Sequence, residues 1–305
     1  MRNLISLTDL TSAEVERIFS ITEDLKTRNL QGERDFLLPG RVLALLFEKP
    51  SLRTRVSFES AIAHLGGVSL FLSDDVGFGK RESMEDFARV LGEFVDAIVI
   101  RAKKHAVAEQ LAQLAGCAVI NGLTDLEHPC QALADLYTLR EIHGTLRGKK
   151  LAYVGDGNNV ARSLALGCGK VGVEFALAAP PGYEFDTEFS ELLAREVPEL
   201  KMTITADPRE AVADAAGVYT DVWASMGQEA EQEVRQKAFA DYQVNAELMA
   251  AAPEDACFLH CLPARRGEEV SAEVIDGPRS VVVQQAGNRM HVQKGILAWL
   301  LGAPN

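Results

Sequence analysis

Ser51, Arg53, Thr54 and Arg55 crowd into the stretch KPSLRTRVSFE over 49–59, where two guanidinium groups meet two hydroxyls. Phe58, Ile62 and Leu65 follow at helical spacing and Gly66-Gly67 closes the pattern, so a helix is predicted to start at Ser51 as its N-cap. Backbone N–H groups of Ser51 to Thr54, the positive end of the helix dipole, the hydroxyls and Arg53 would then converge on one spot. That is an environment for a phosphate or an acyl phosphate. Read alone, the stretch is equally an ordinary capped helix with surface arginines. Arg55, two residues round the helix from Arg53, points away from the anion and is assigned to structure.

The whole chain makes this local concentration of cation informative. It has 305 residues, with Lys+Arg 31 against Asp+Glu 44 and a formal net charge of −13. An acidic chain that gathers positive charge in one segment is either pairing its own carboxylates or holding an anionic ligand. The charge argues against nucleic acid, which wants a basic face. Apolar runs such as 42–47 (VLALLF) are too short to span a membrane, and the opening MRNLISLTDLTSAE does not read as a signal peptide. A cytoplasmic protein is expected. The five cysteines (Cys117, Cys130, Cys168, Cys257 and Cys261) lack CxxC spacing, which suits reduced thiols, and no zinc-binding pattern is legible.

Two sets of alternating strands and helices must position these groups. Thr11 and Glu14 form a capping box with Leu10 and Val15 placed as a hydrophobic staple, predicting a first helix. Then come VLALLFEK, the Arg-bearing helix, VSLFL, a helix from about Ser83, AIVIR, a further helix and AVING. A second set runs from Lys150: KLAYVGDG, a helix over 159–171, EFALAAP, a helix near 187–196, KMTIT, GVYTDVW, CFLHCLP and SVVVQQ. This alternation predicts α/β architecture with two parallel-sheet domains, each a sheet between helices. A helical stretch over 128–143 ends near Gly144. The domains are therefore placed at 1–144 and 145–288, with a C-terminal helix over 289–305 packing back on the first. GDGNN follows a strand and opens a helix, but Val160 stands at the third glycine of GxGxxG, so a dinucleotide-dependent oxidoreductase is a distant alternative.

The set S-x-R-T-R with SFE, then HPCQ (128–131), then HCLP (260–263), in that order and over nearly the whole chain, resembles the aspartate/ornithine carbamoyltransferase family. DVWASMGQE (221–229) and HCLPARRGEEV (260–270) resemble its ornithine branch. The resemblance implies transfer of a carbamoyl group from carbamoyl phosphate to the δ-amine of L-ornithine, giving citrulline and phosphate. It implies an active site in the cleft between the two domains, a homotrimer with shared sites, and no metal or organic cofactor. Other acceptors (aspartate, putrescine, an N-acylornithine) are the nearer alternative.

By the same resemblance, Ser51, Leu52, Arg53, Thr54, Arg101, His128, Gln131 and Arg289 bind carbamoyl phosphate, with Arg53, Arg101 and His128 stabilising developing charge. Asn159, Asp221, Ser225, Met226, Cys261 and the Leu262 carbonyl take ornithine, Cys261 and Leu262 receiving the attacking amine. Taken singly, His128 reads as a cap, Asp221 as a turn carboxylate, Met226 as core filling and Cys261 as a buried thiol. A Cys261–His260 nucleophile is not expected, because neighbouring side chains in a strand point to opposite faces. Leu52 stands where many members carry Thr. Gly287 and Gly295 replace larger residues and would free the backbone beside Arg289. The segment DDVGFGKRES (74–83) resembles the mobile loop that members extend to a neighbouring subunit.

Overall fold

The computed structural model describes residues 2–73, 81–224 and 231–302. Two compact α/β units divide the chain: Met1–Leu133 with Arg289–Asn305, and Ala134–Asn288.

The first unit begins with α1 (Ser12–Leu30), whose Thr11–Glu14 capping box forms as the sequence predicts. Then follow β1 (Val42–Phe47), α2 (Leu52–His64), β2 (Val68–Leu72), α3 (Met84–Phe94), β3 (Ala97–Arg101), α4 (His105–Leu114), β4 (Ala118–Leu123) and the first turn of α5 (Pro129–His143). The strands form a fully parallel sheet in the order β2-β1-β3-β4. β1 and β3 are short continuous apolar runs, buried along their length as parallel strands covered on both faces must be. The chain leaves β1 to one side for β2 and returns on the other for β3. Their adjacent carboxyl ends therefore form a topological switch point, where open parallel sheets bind ligands. Phe47 pairs with Arg101 there.

The second unit holds β5 (Lys150–Val154), α6 (Asn159–Val171), β6 (Glu174–Ala178), α7 (Thr187–Glu196), β7 (Met202–Thr205), α8 (Pro208–Val212), β8 (Gly217–Tyr219), α9 (Gln232–Ala238), α10 (Ala246–Ala251), β9 (Cys257–Leu259), α11 (Ala272–Ile275) and the start of α12 (Val282–Leu301). Its sheet is also parallel, ordered β7-β6-β5-β8-β9, so its switch point lies between β5 and β8. α6 starts on the Asn158 side chain and stops at Gly172, whose φ of 73° is the left-handed closing position glycine supplies. Tyr153 and Tyr219 stack across β5 and β8 at 5.4 Å between ring centroids.

The two units part inside α5, between Leu133 and Ala134. Two expectations change. SVVVQQ is not a strand: Ser280 makes one parallel bridge to Phe258, and the chain then coils into α12, with Gln285 N–H on Val281 O at 2.8 Å. The C-terminal helix therefore begins at Val282, and Arg289 lies inside it. Gly295 does not free the backbone; a Cβ there would collide with Thr22 Oγ1 and sit 3.0 Å from Ile18 O, so glycine lets α12 approach α1 closely.

Candidate active site

In the first unit, α2 begins at the carboxyl end of β1. Ser51 Oγ caps it by accepting the Thr54 N–H at 3.3 Å, and donates to Thr54 Oγ1 at 2.9 Å. The expectation of four open amides is thus corrected: the Thr54 N–H is taken by the chain's own cap. Leu52 is 76% exposed and can offer an anion only its backbone. Arg53 is half-buried at the second helical position. Arg55 pairs with Glu59 at 3.1 Å and lies over the Phe71 ring at 3.9 Å, the structural role expected of it.

Arg289 reaches this helix end from α12. Its Nη2 donates to Thr54 Oγ1 at 2.6 Å and its Nη1 to Gln131 Oε1 at 3.1 Å, all three side chains being buried. Gln131 is on the first turn of α5, where the His128 carbonyl accepts the N–H groups of Gln131 (3.1 Å) and Ala132 (3.2 Å), with Pro129 at the first helical position. Burial, then the positive charges of Arg289 and Arg101, hold His128 well below the usual imidazole range. It is a neutral hydrogen-bonding group set among cations. Arg101 is itself buried at the end of β3. Thr54, Gln131, His128, Arg289 and Arg101 are thus brought together, a buried cluster of positive charge and neutral polar groups.

In the second unit, Asn158 rather than Asn159 caps α6. Its Oδ1 accepts the N–H groups of Val160 (2.9 Å) and Ala161 (3.1 Å) and the Tyr153 hydroxyl (3.1 Å), while its Nδ2 donates to Asp221 Oδ2 at 3.1 Å. Asn159 is the first helical residue beside it. Asp221 lies two residues past β8, and its Oδ1 accepts the Val222 N–H at 2.8 Å and the Cys261 thiol at 3.2 Å. Burial and the nearby carboxylates push the Tyr153 phenol well up, so it stays a neutral donor. Gly157 packs on the chain itself, since a Cβ would lie 2.9 Å from the Glu184 carbonyl carbon. Ser225 and Met226, and most of the 74–83 loop, lie outside the described residues.

His260 and Cys261 follow the end of β9, so strand alternation does not govern them. Potential ligand atoms of Asp221, His260 and Cys261 all fall within 4.8 Å of one another, a grouping absent from any sequence spacing. Each is already committed: His260 Nδ1 accepts the Leu262 N–H at 2.9 Å, and its Nε2 lies 3.1 Å from Glu269 Oε1. This engagement, not opposite-facing side chains, keeps His260 from activating Cys261. We therefore read a polar network rather than a cation centre.

Models of known families match both parts of the chain: the carbamoyl-P binding domain of aspartate/ornithine carbamoyltransferase over residues 2–141 and the Asp/Orn binding domain over residues 147–300. The chain belongs to the aspartate/ornithine carbamoyltransferase family. Ornithine carbamoyltransferase of Carboxydothermus hydrogenoformans is 52% identical over 304 residues, covering 99% of this chain and 98% of that protein. That of Bacillus subtilis is 50% identical over 303 residues, covering 98% and 94%. Among solved structures, ornithine carbamoyltransferase from Pyrococcus furiosus superposes with a TM-score of 0.96 at 48% identity, covering 100% of this chain and 98% of that one.

Within this family frame, sequence reasoning missed Asn158, Tyr153 and Glu269. Asn158 had a signal, since an Asn ahead of a helical run is a cap. Tyr153 reads as strand core. Glu269 lies in a turn-rich segment, and nothing local announces a buried partner.

Proposed function

We propose that this chain transfers the carbamoyl group of carbamoyl phosphate to the δ-amine of L-ornithine, releasing citrulline and phosphate. One observation carries the reading: a buried fork from Arg289 onto Thr54 and Gln131 beside neutral His128, the last three lying in the segment that matches a carbamoyl-P binding domain. The relatives named ornithine carbamoyltransferase favour ornithine over other amines.

The chemistry follows from the groups. Carbamoyl phosphate brings about two negative charges and a carbonyl that must be polarised. The helix-end amides of Leu52 and Arg53, the Arg53 guanidinium, Thr54 and Arg289 take the phosphate. Arg101 and His128 face the carbonyl and bridging oxygens, and Gln131 the amide. Because His128 is neutral, it donates a hydrogen bond without adding a fourth full charge to those of Arg53, Arg101 and Arg289. On the acceptor side, the α6 start at Asn159 and the loop carrying Ser225 and Met226 bind ornithine, and Asp221 holds its α-ammonium. Cys261 and the Leu262 carbonyl receive the δ-amine. That amine is mostly protonated near neutral pH, so the site must favour its free base. Its lone pair then forms the new C–N bond as the carbonyl C–O(phosphate) bond breaks, phosphate leaves with the electron pair, and the amine loses a proton. No covalent enzyme intermediate is needed.

A cytoplasmic homotrimer fits this reading. All five thiols are unbridged, as in a reducing compartment, and Val68 and Leu70 on the edge strand β2 are exposed apolar side chains suited to association. The deciding experiment is citrulline formation by wild type and Arg53→Ala, with aspartate, putrescine and N-acetylornithine as competing acceptors. The expected fall for Arg53→Ala is on the order of a hundredfold. A loss of only a few-fold, or preference for another amine, would overturn the reading.

A further inference from the structure

We propose that Glu269 is a positioning residue for the acceptor amine, acting through His260 on the Cys261–Leu262 turn. Resting on the carbamoyl-transfer reading above, it gives a role to Glu269, which lies within HCLPARRGEEV but is not among the site residues that the resemblance implies.

The argument begins with a tautomer. His260 Nδ1 accepts the backbone N–H of Leu262 at 2.9 Å and so carries no proton. The neutral ring must then bear its proton on Nε2, which lies 3.1 Å from Glu269 Oε1 and donates to it. Both side chains are fully enclosed, Glu269 at 0% and His260 at 1% exposure, so water cannot substitute for either partner. Had the proton moved to Nδ1, two N–H groups would face each other across the Leu262 contact.

Glu269 is held as firmly as it holds. Its Oε1 also accepts the Arg265 N–H at 2.6 Å, and its carbonyl accepts the Val244 N–H at 2.9 Å. Val270 bridges to both Val244 and Arg266. On the other side, the His260 N–H donates to Gln285 Oε1 at 2.9 Å, Gln285 Nε2 donates to Asp135 Oδ1 at 2.7 Å, and the Tyr219 hydroxyl donates to Asp135 Oδ2 at 3.0 Å. The ring is thus clamped at its backbone and at both nitrogens.

What the clamp supports is unusual backbone. Leu262 has φ 57°, left-handed for a β-carbon-bearing residue, a conformation that persists only where surroundings over-determine it. The His260 acceptor for the Leu262 N–H is one such determinant. The same turn presents Cys261 Sγ to Asp221 Oδ1 at 3.2 Å. Glu269 therefore sets, at one remove, the direction of the Leu262 carbonyl and the Cys261 thiol.

The experiment separates positioning from folding. Glu269→Gln keeps a carbonyl oxygen that accepts from His260 Nε2–H and the Arg265 N–H, and should hold kcat/KM for ornithine within a few-fold of wild type. Glu269→Met keeps the bulk and removes the acceptor. Its kcat/KM for ornithine should fall on the order of a hundredfold, as misplacement of reacting groups does, with KM for carbamoyl phosphate unchanged. In wild type, 15N-histidine NMR should show His260 protonated on Nε2 and bare on Nδ1, and Glu269→Met should lose that pattern. In a His260→Asn background, which leaves an amide oxygen near the Nδ1 position, Glu269→Met should add little. A wild-type ring protonated on Nδ1 would overturn the proposal, as would equal losses in Gln and Met variants with a raised KM for carbamoyl phosphate, or a full Met effect without His260. If Glu269→Met fails to fold, the wild-type NMR and the Glu269→Gln kinetics decide. A wild type that makes no citrulline would sink the proposed function, while the NMR would still decide the Glu269–His260 link.

Discussion

Arg289 and Thr54 stand 235 positions apart in the chain and are joined by a 2.6 Å hydrogen bond from guanidinium to hydroxyl, with both side chains buried. Replacing Thr54 by Val keeps the shape and removes the acceptor. A hydrogen bond to a buried charged donor contributes roughly 1.5–3 kcal/mol, so Thr54→Val should lower the urea unfolding free energy by that amount and raise KM for carbamoyl phosphate. Arg289→Lys should weaken the same substrate, because a lysine cannot span Thr54 and Gln131 with one planar fork.

Protonation of His128 is coupled to folding. The folded state holds this imidazole well below its usual range, through burial first and then Arg289 and Arg101. An unfolded chain titrates it near 6.5. Below about pH 6.5 the unfolded state therefore binds a proton that the native state refuses, and stability is lost as pH falls; above it the contribution is fully present. Urea titrations at pH 7.5 and 5.5 should show a larger acid loss for wild type than for His128→Gln. The pH profile of kcat should show no inflection near 6.5 from this residue.

Asn158 does two jobs that substitution can separate. Asn158→Ala removes the cap of α6 and should cost about 0.5–2 kcal/mol in thermal or urea unfolding. Asn158→Asp keeps a good cap but sets a carboxylate against Asp221, whose Oδ2 now accepts from Nδ2 at 3.1 Å. It should nearly restore stability relative to Ala while raising KM for ornithine further, as measured by steady-state kinetics at saturating carbamoyl phosphate.

Lys294 is enclosed on α12, with its ammonium on the Leu25 carbonyl at 3.3 Å, and burial, then Arg34, brings its proton affinity down to about 8. A folded state that disfavours the charged form loses stability wherever the unfolded lysine is protonated, so this penalty fades as pH rises from about 8 towards 10.5. Lys294→Met should stabilise the protein at pH 7, by at most about 3 kcal/mol at about 1.4 kcal/mol per tenfold change in proton affinity, less what the lost Leu25 hydrogen bond contributes. The gain should shrink by pH 10, as read from thermal midpoints at the two pH values.

Local sequence determined the element types, the Thr11–Glu14 cap, the helix starting at Ser51, the alternation that makes both sheets parallel and the three motifs that place the chain in its family. Each rests on neighbours a few residues apart, where backbone geometry and side-chain reach are nearly independent of context. Tertiary structure alone decided the rest. The apolar run at 280–283 suits a strand or a buried helix equally, and after a bridge from Ser280 to Phe258 of β9 the chain coils into α12. That places Arg289 on Thr54 and Gln131. Likewise the Asn158–Asp221 contact and the Glu269–His260–Leu262 clamp join residues brought together by the β5–β8–β9 edge of the second sheet. No spacing encodes them, because a hydrogen bond between distant segments exists only once the sheet has set its register.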